Sequence, residues 1–295
     1  MFIGILFLVL TSILWVVQGV VVSVAAEKKL NLSAIQTVMA FIIMCLTLPL
    51  FFVAGKVNII IVIALIVGGI CNCGANLLMN LAMKNGPHGM TWAISQSAFV
   101  IPFIMGIFVF KVPCSPIRAA GIILLLISMA VMGIYGKKDE GGQGTGKFNW
   151  IIFCVLAYIV IGMSQCGGSL PSYFIADSVS SISNVLFRVG LLCTGIFIGG
   201  LLNWMFVDHI PVCRNGFAKQ TFLLTASTIT SSLLTFKAFD IITGYDAGAI
   251  GYPVITGLSI AFFFVYTAVK LKEKLSIPAI IGVLLCLTGI AGIIF

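Results

Sequence analysis

The sequence predicts an all-α integral membrane protein whose ten transmembrane helices form two inverted five-helix repeats. Three observations predict it. Of 295 residues, 61% are hydrophobic and only 8% charged, whereas soluble domains run near 45–50% and 25%. The apolar runs are about 20 residues long and do not alternate, which fits membrane helices rather than the shorter strands of a barrel. A single stretch of loop composition divides the chain into halves that resemble each other.

Cutting at polar residues and at Gly and Pro gives the helices in order. The first, Ile3–Ala26, lacks a basic leading segment and a small-residue cleavage site, so it reads as a retained helix rather than a signal peptide. Ser33–Gly55, Asn58–Met83, Gly89–Phe110 and Ile117–Tyr135 complete the first set. Pro102 lies deep in the fourth helix, where it removes one backbone hydrogen bond and predicts a kink. Lys137–Phe148, "KKDEGGQGTGKF", follows as a flexible linker. The second set is Asn149–Leu170, Ile182–Val207, Gln220–Ile242, Ala247–Val269 and Ile277–Phe295. The expected organisation is therefore a first repeat over 1–136, the linker over 137–148 and a second repeat over 149–295.

Of the 16 basic residues, Lys28, Lys29, Lys84, Lys137, Lys138, Lys147, Arg214, Lys219, Lys270, Lys272 and Lys274 fall on one face. Only Lys56, Lys111, Arg118, Arg188 and Lys237 fall on the other. The richer face is expected to be cytoplasmic, with both termini outside, in a bacterial-type cell (inner) membrane. This distribution accounts for the net charge of +8 without a nucleic-acid partner, since no basic domain is clustered. Most of the nine cysteines fall inside helices, where they act as small apolar residues. Cys71 and Cys73 point to different faces and make a poor metal pair. No metal and no cofactor are expected.

The halves repeat a common order. A Gly-containing turn leads into a small-residue helix with a proline, then a Lys, then Pro and Ser, then a Gly-rich helix. It runs from Asn85 in the first half and from Thr243 in the second. Because each unit has five helices, the second enters the membrane from the opposite side, an architecture typical of secondary transporters with a site near the midplane. The segment from Tyr252, "YPVITGLSIAFFFVYTAVKLKEKLSIPAIIGVLLCLTGIAGII", resembles the closing helix pair of the drug/metabolite transporter superfamily, of the EamA-like ten-helix kind. Lys272, Glu273 and Gly282 match that pattern. The first half departs from it, because Lys111 is followed by Val112 rather than Glu. The resemblance implies a ten-helix transporter fold and leaves the substrate open.

A transport cavity requires polar side chains shielded from lipid and gathered on helix faces. Asn72, Asn76 and Asn80 recur at four-residue intervals on the third helix and form one stripe. Its counterpart, the eighth helix, carries Thr225, Thr228, Ser232 and Thr235 along one face, flanked by Thr230 and Ser231. Hydrogen bonding between or within helices is the competing explanation for both stripes. Trp92, Ser95 and Gln96 on the fourth helix are matched by Tyr252 and Thr256 on the ninth. Trp15, Gln18 and Gln165 complete the candidate substrate-binding set, with Tyr158 and Ser164 in second rank. All eight acids lie in loops or near helix ends, so the first helix offers no deep carboxylate of the kind that binds cations. Arg188 lies about 8 Å into the seventh helix at 1.5 Å per residue. There it faces the cavity and meets Asp240, Asp246 or an anionic solute, or else it snorkels to the surface.

The expected function is secondary transport of a small polar metabolite, with a sugar or similar polyhydroxylated solute favoured and H⁺ or Na⁺ as candidate coupling ion. An organophosphate or nucleotide-sugar exchanger, with Arg188 and Lys237 holding phosphate oxygens, is the second expectation, and export of another metabolite such as an amino acid or nucleoside remains an alternative. A membrane-embedded enzyme is not expected, because His88 and His209, the only two histidines, lie in short loops away from a carboxylate cluster or a nucleophile.

Overall fold

Backbone polar groups in an apolar solvent require internal partners, and every regular element among the described residues meets that demand as a helix. The computed structural model describes residues 1–51, 58–135, 146–174, 182–207, 210–212, 215–272 and 277–294. The helices are α1 (Phe2–Glu27), α2 (Leu32–Phe51), α3 (Ile59–Met83), α4 (His88–Gln96), α5 (Val100–Phe108), α6 (Pro116–Tyr135), α7 (Gly146–Phe174), α8 (Ile182–Phe206), α9 (Phe217–Thr243), α10 (Gly251–Lys270) and α11 (Ile277–Ile294). Seven described helical segments are long and apolar enough to cross a membrane, and Leu32–Thr47, Pro116–Ser128 and Ile280–Ile293 are shorter apolar stretches. The chain is an all-α, multi-pass membrane protein.

Local sequence explains the starts and breaks. Asn31 Oδ1 accepts from the Ala34 N–H at the start of α2, and Asn58 Oδ1 accepts from the Ile60 N–H at the start of α3, each satisfying a donor left free by the first turn. The expected fourth helix is divided: a 3₁₀ turn at Ser97–Phe99 separates α4 from α5. Pro102 has no N–H for the Ala98 carbonyl, so the α-ladder yields just upstream of it. A second 3₁₀ turn, Gly248–Ile250, precedes α10. Pro253 then sits in the first turn of α10, where a missing N–H costs nothing. Helix α7 begins at Gly146 and reaches Phe174 through Pro171, so it starts inside the expected linker and ends beyond Leu170. The rest of the linker, with Lys137, Lys138, Asp139 and Glu140, lies outside the described residues, as do Lys56, Asp177, Asp208, His209, Arg214, Glu273 and Lys274. Lys111 and Lys272 both adopt left-handed backbone, with φ of 53° and 55°, in the turns that follow α5 and α10.

The helices pair in matched sets. α3 packs on α7 as α1 packs on α9; α2 packs on α8; and α6 packs on α11. α3 also packs on α8 and α2 on α9, while α1 meets α10 and α7 meets α4 and α5. Glycines set the closest crossings. An added Cβ on Gly121 would lie 2.7 Å from the Gly289 carbonyl oxygen, and one on Gly289 would lie 2.8 Å from that of Gly121. Small residues give this close approach where lipid supplies no hydrophobic drive between helices.

Polarity is inverted relative to a soluble protein. Phe108, Phe222 and Val269 are 76%, 72% and 74% exposed on the outside, while Arg188, Asp240, Asn80, Gln96 and Gln165 are buried. Apolar side chains face outward to lipid, and the polar groups line the interior.

Candidate functional site

A cavity of about 90 Å³ lies inside the bundle, lined from α1, α2, α3, α4, α7, α8, α9 and α10. Its polar wall is Gln18, Gln36, Asn72, Asn76, Gln96, Ser164, Gln165, Thr228, Ser231, Ser232 and Thr235. The aromatic side chains Trp15, Trp92, Phe236 and Tyr252 complete it, with apolar positions that include Met39, Met79, Ile161, Leu192, Ile196 and Leu224. No Lys, Arg, Asp or Glu is among these lining residues. The volume is below the roughly 300 Å³ at which small-molecule pockets usually begin, so this conformation is narrow.

Helix periodicity places the groups. Asn72 and Asn76 are one turn apart on α3, and Asn76 Nδ2 donates to Asn72 Oδ1 at 3.1 Å. Trp92 and Gln96 are one turn apart on α4. Gln18 Nε2 donates to Ser231 Oγ at 2.9 Å, joining α1 to α9 across the lining. The Trp15 and Tyr252 rings lie 6.1 Å apart, and Phe239 packs on the other side of Tyr252 at 4.8 Å. Several lining groups have no hydrogen-bond partner within the protein: Trp92 Nε1, Gln96 Oε1, and both Nε2 and Oε1 of Gln165. Each of these residues is no more than 5% exposed.

The bundle is tied across itself at both ends. Because the backbone of Gly4 at the start of α1 lies against Ile241 and Ile242 at the end of α9, these two helices run antiparallel. At the end marked by the C-terminus of α3, Asn80 Nδ2 donates to the Val22 carbonyl of α1 at 3.1 Å. At the opposite end, Ser172 Oγ of α7 donates to Asp240 Oδ1 of α9 at 2.7 Å. Arg188 of α8 completes this second tie. Its Nη1 donates to Asp240 Oδ1 at 3.0 Å and its Nη2 pairs with Asp240 Oδ2. The guanidinium carbon also sits 5.1 Å from the centroid of Phe236, a cavity-lining ring. Asn80 stands four residues before Lys84, which caps α3, and Asp240 stands four before Gly244, which caps α9.

Ten of the fourteen sequence candidates meet in this lining: Trp15, Gln18, Asn72, Asn76, Trp92, Gln96, Gln165, Thr228, Ser232 and Tyr252. Four do not. Asn80 lies past the cavity in the α1–α3 tie. Ser95 is fully buried and is not part of the lining. Thr256 donates to the Tyr252 carbonyl at 2.7 Å, a bond within its own helix. Arg188 is 1% exposed, which removes snorkelling, and its two terminal nitrogens are directed at Asp240 rather than into the cavity. Thr225 likewise turns back to the Thr221 carbonyl. Sequence reasoning missed Gln36, whose amide reaches the cavity from α2. Its signal was a lone Gln in an apolar helix, costly against lipid.

No family model matches this sequence, and no curated protein matches it either. The chain is similar to a solved structure described only as "Crystal structure of protein", with a TM-score of 0.67, 12% identity, and coverage of 98% of this chain and 95% of the other. At that identity the likeness shows the fold alone.

Proposed function

We propose that this chain is a secondary transporter for a small, neutral, polyhydroxylated solute, with a sugar as the favoured class. In this reading ten spans form two inverted five-helix repeats, in the manner of the drug/metabolite transporters, and access to the cavity alternates between its two ends. The carrying observation is the cavity itself, a chamber lined by amides, hydroxyls and aromatic rings, with no charged side chain among the described residues. The matched helix pairings and the equivalent positions of Asn80 and Asp240 support the repeat. The two ties then act as the gates: opening one end separates α1 from α3, and opening the other separates α9 from α7 and α8. A phosphate-bearing solute is disfavoured because Arg188 pairs with Asp240 and no cation lines the chamber among the described residues. In the proposed setting the protein lies in the cell (inner) membrane with both termini outside and H⁺ or Na⁺ as candidate coupling ion.

Topology is checked with cysteine labels. A label in the segment 136–145 should react from the cytoplasmic side and one at Phe295 from the outside; reaction of both from one side removes the inverted repeat.

Transport is checked with purified protein in liposomes. Wild type should exchange labelled D-glucose, D-ribose or myo-inositol, and Asn76→Leu should reduce exchange at least tenfold. The variant should still insert and fold, since leucine favours a membrane helix. Loss of folded Asn76→Leu protein would assign the asparagine pair to helix packing instead.

A further inference from the structure

We infer that Gln165, with Gln96 and Trp92, forms the subsite that recognises two adjacent hydroxyl groups of the solute; this deepens, and rests on, the transport reading. Gln165 is 4% exposed, lines the cavity, and leaves both ends of its amide without a protein partner. Exchanging its oxygen and nitrogen positions changes nothing in that statement, because both are unpartnered. A buried amide left unsatisfied costs stability, so its retention calls for a ligand that supplies a donor and an acceptor side by side. A vicinal diol does so. One hydroxyl donates to Gln165 Oε1, and its neighbour accepts from Gln165 Nε2. Gln96 Oε1 and the Trp92 indole N–H, one turn apart on α4, present a second acceptor and donor in the same lining.

A primary amide could also satisfy Gln165, but two hydroxyls that α9 adds to the lining favour the diol. Ser231 Oγ donates to the Thr228 carbonyl and accepts from Gln18, and Thr235 Oγ1 donates to the Ser231 carbonyl at 2.7 Å. The Ser231 and Thr235 protons are committed to their own helix, so toward the cavity these two hydroxyls offer lone pairs and call for donors from the solute. A polyol carries hydroxyl donors on every side, whereas an amide carries them at one end. The aromatic rings of Trp15 and Tyr252 suit the C–H faces of such a solute.

The test is thermal stabilisation of the purified full-length protein by D-glucose, D-ribose, myo-inositol and nicotinamide, followed by exchange in liposomes. At least one polyol should bind. Gln165→Met, which keeps volume and removes the amide, should weaken it about tenfold or more. For glucose, the 2-deoxy or 3-deoxy analogue should lose a similar factor in wild type and nothing further in Gln165→Met. Unliganded Gln165→Met should melt no lower than wild type, because the removed amide had no partner. Gln220→Met, which removes a buried amide outside the cavity, should leave binding unchanged. Full affinity in Gln165→Met, or a deoxy penalty that persists in it, overturns the subsite. Binding of nicotinamide without any polyol overturns the diol assignment and leaves a transporter of another neutral solute. Absence of binding and exchange for all four probes removes both readings.

Discussion

Asp240→Leu should cost the folded protein about 3–5 kcal/mol, because it strands the Arg188 guanidinium in the bundle interior. Arg188 and Asp240 are buried, with side chains 2% and 1% exposed. The carboxylate meets both guanidinium nitrogens and the Ser172 hydroxyl. Taking away the acid removes the carboxylate from a buried cation, and the contacts with the Ser172 hydroxyl and the face of Phe236 are far weaker than a carboxylate. The measurement is thermal melting in detergent, read by the fraction of monodisperse protein. The double variant Arg188→Leu/Asp240→Leu should recover most of the loss, because an apolar pair of similar volume removes two desolvation penalties together. A single Asp240→Leu variant as stable as wild type would show that the pair does not hold α8 and α9 together. The double variant also probes the gate. If the pair closes that end of the cavity, folded double-mutant protein should exchange its solute with altered rate while retaining equilibrium binding.

Gly69→Ala should leave little folded protein, although it adds one methyl group. Gly69 on α3 faces Gly195 on α8, and a Cβ on either would overlap a backbone carbonyl oxygen across the crossing, that of Leu192 or that of Ile66. Neither oxygen belongs to a flexible side chain, so accommodation requires the two helices to separate. Separation along α3 and α8 disturbs Asn72 and Asn76, which lie within the next two turns of the same helix. Gly74→Ala is the control on that helix: the nearest atom to its added Cβ is Val160 Cγ1 at 3.9 Å, an ordinary contact. It should be neutral or stabilise by up to about 1 kcal/mol through helix propensity. Equal melting temperatures for the Gly69 and Gly74 variants would contradict the close crossing.

The lining was legible in the sequence wherever an amide or indole interrupts an apolar helix. Gln18, Asn72, Asn76, Trp92, Gln96 and Gln165 could be found that way, because lipid makes such groups costly and their four-residue spacing puts them on one face. The hydroxyl residues of α9 were less legible. Ser and Thr bond to their own helix whichever way they face, as Thr225 and Thr256 do, so spacing alone does not separate lining from filler. Asn80, which lies outside this lining, shows a related limit of spacing. Periodicity gives the face but not the depth, and Asn80 continues the stripe of Asn72 and Asn76 one turn beyond the end of the cavity. Arg188 could be ranked as unusual from its depth, but choosing among Asp240, Asp246, a solute and the surface required knowing which helix lies beside α8.

Composition and proline placement were enough to set the solvent and the type of element. Apolar density demands lipid, lipid demands helices, and Pro102 locates the break in the helical ladder near Ser97–Phe99. These are properties of one segment and its surroundings, so they need no knowledge of neighbours. Tertiary structure alone decided the pairings that make the site: α1 with α9, α3 with both α7 and α8, and the two ties across the bundle. A helix with apolar residues on nearly every side does not specify which neighbour it will meet. That choice falls to glycine crossings and to single polar bonds such as Asn80 to Val22 and Arg188 to Asp240, whose partners lie 58 and 52 residues apart in the chain.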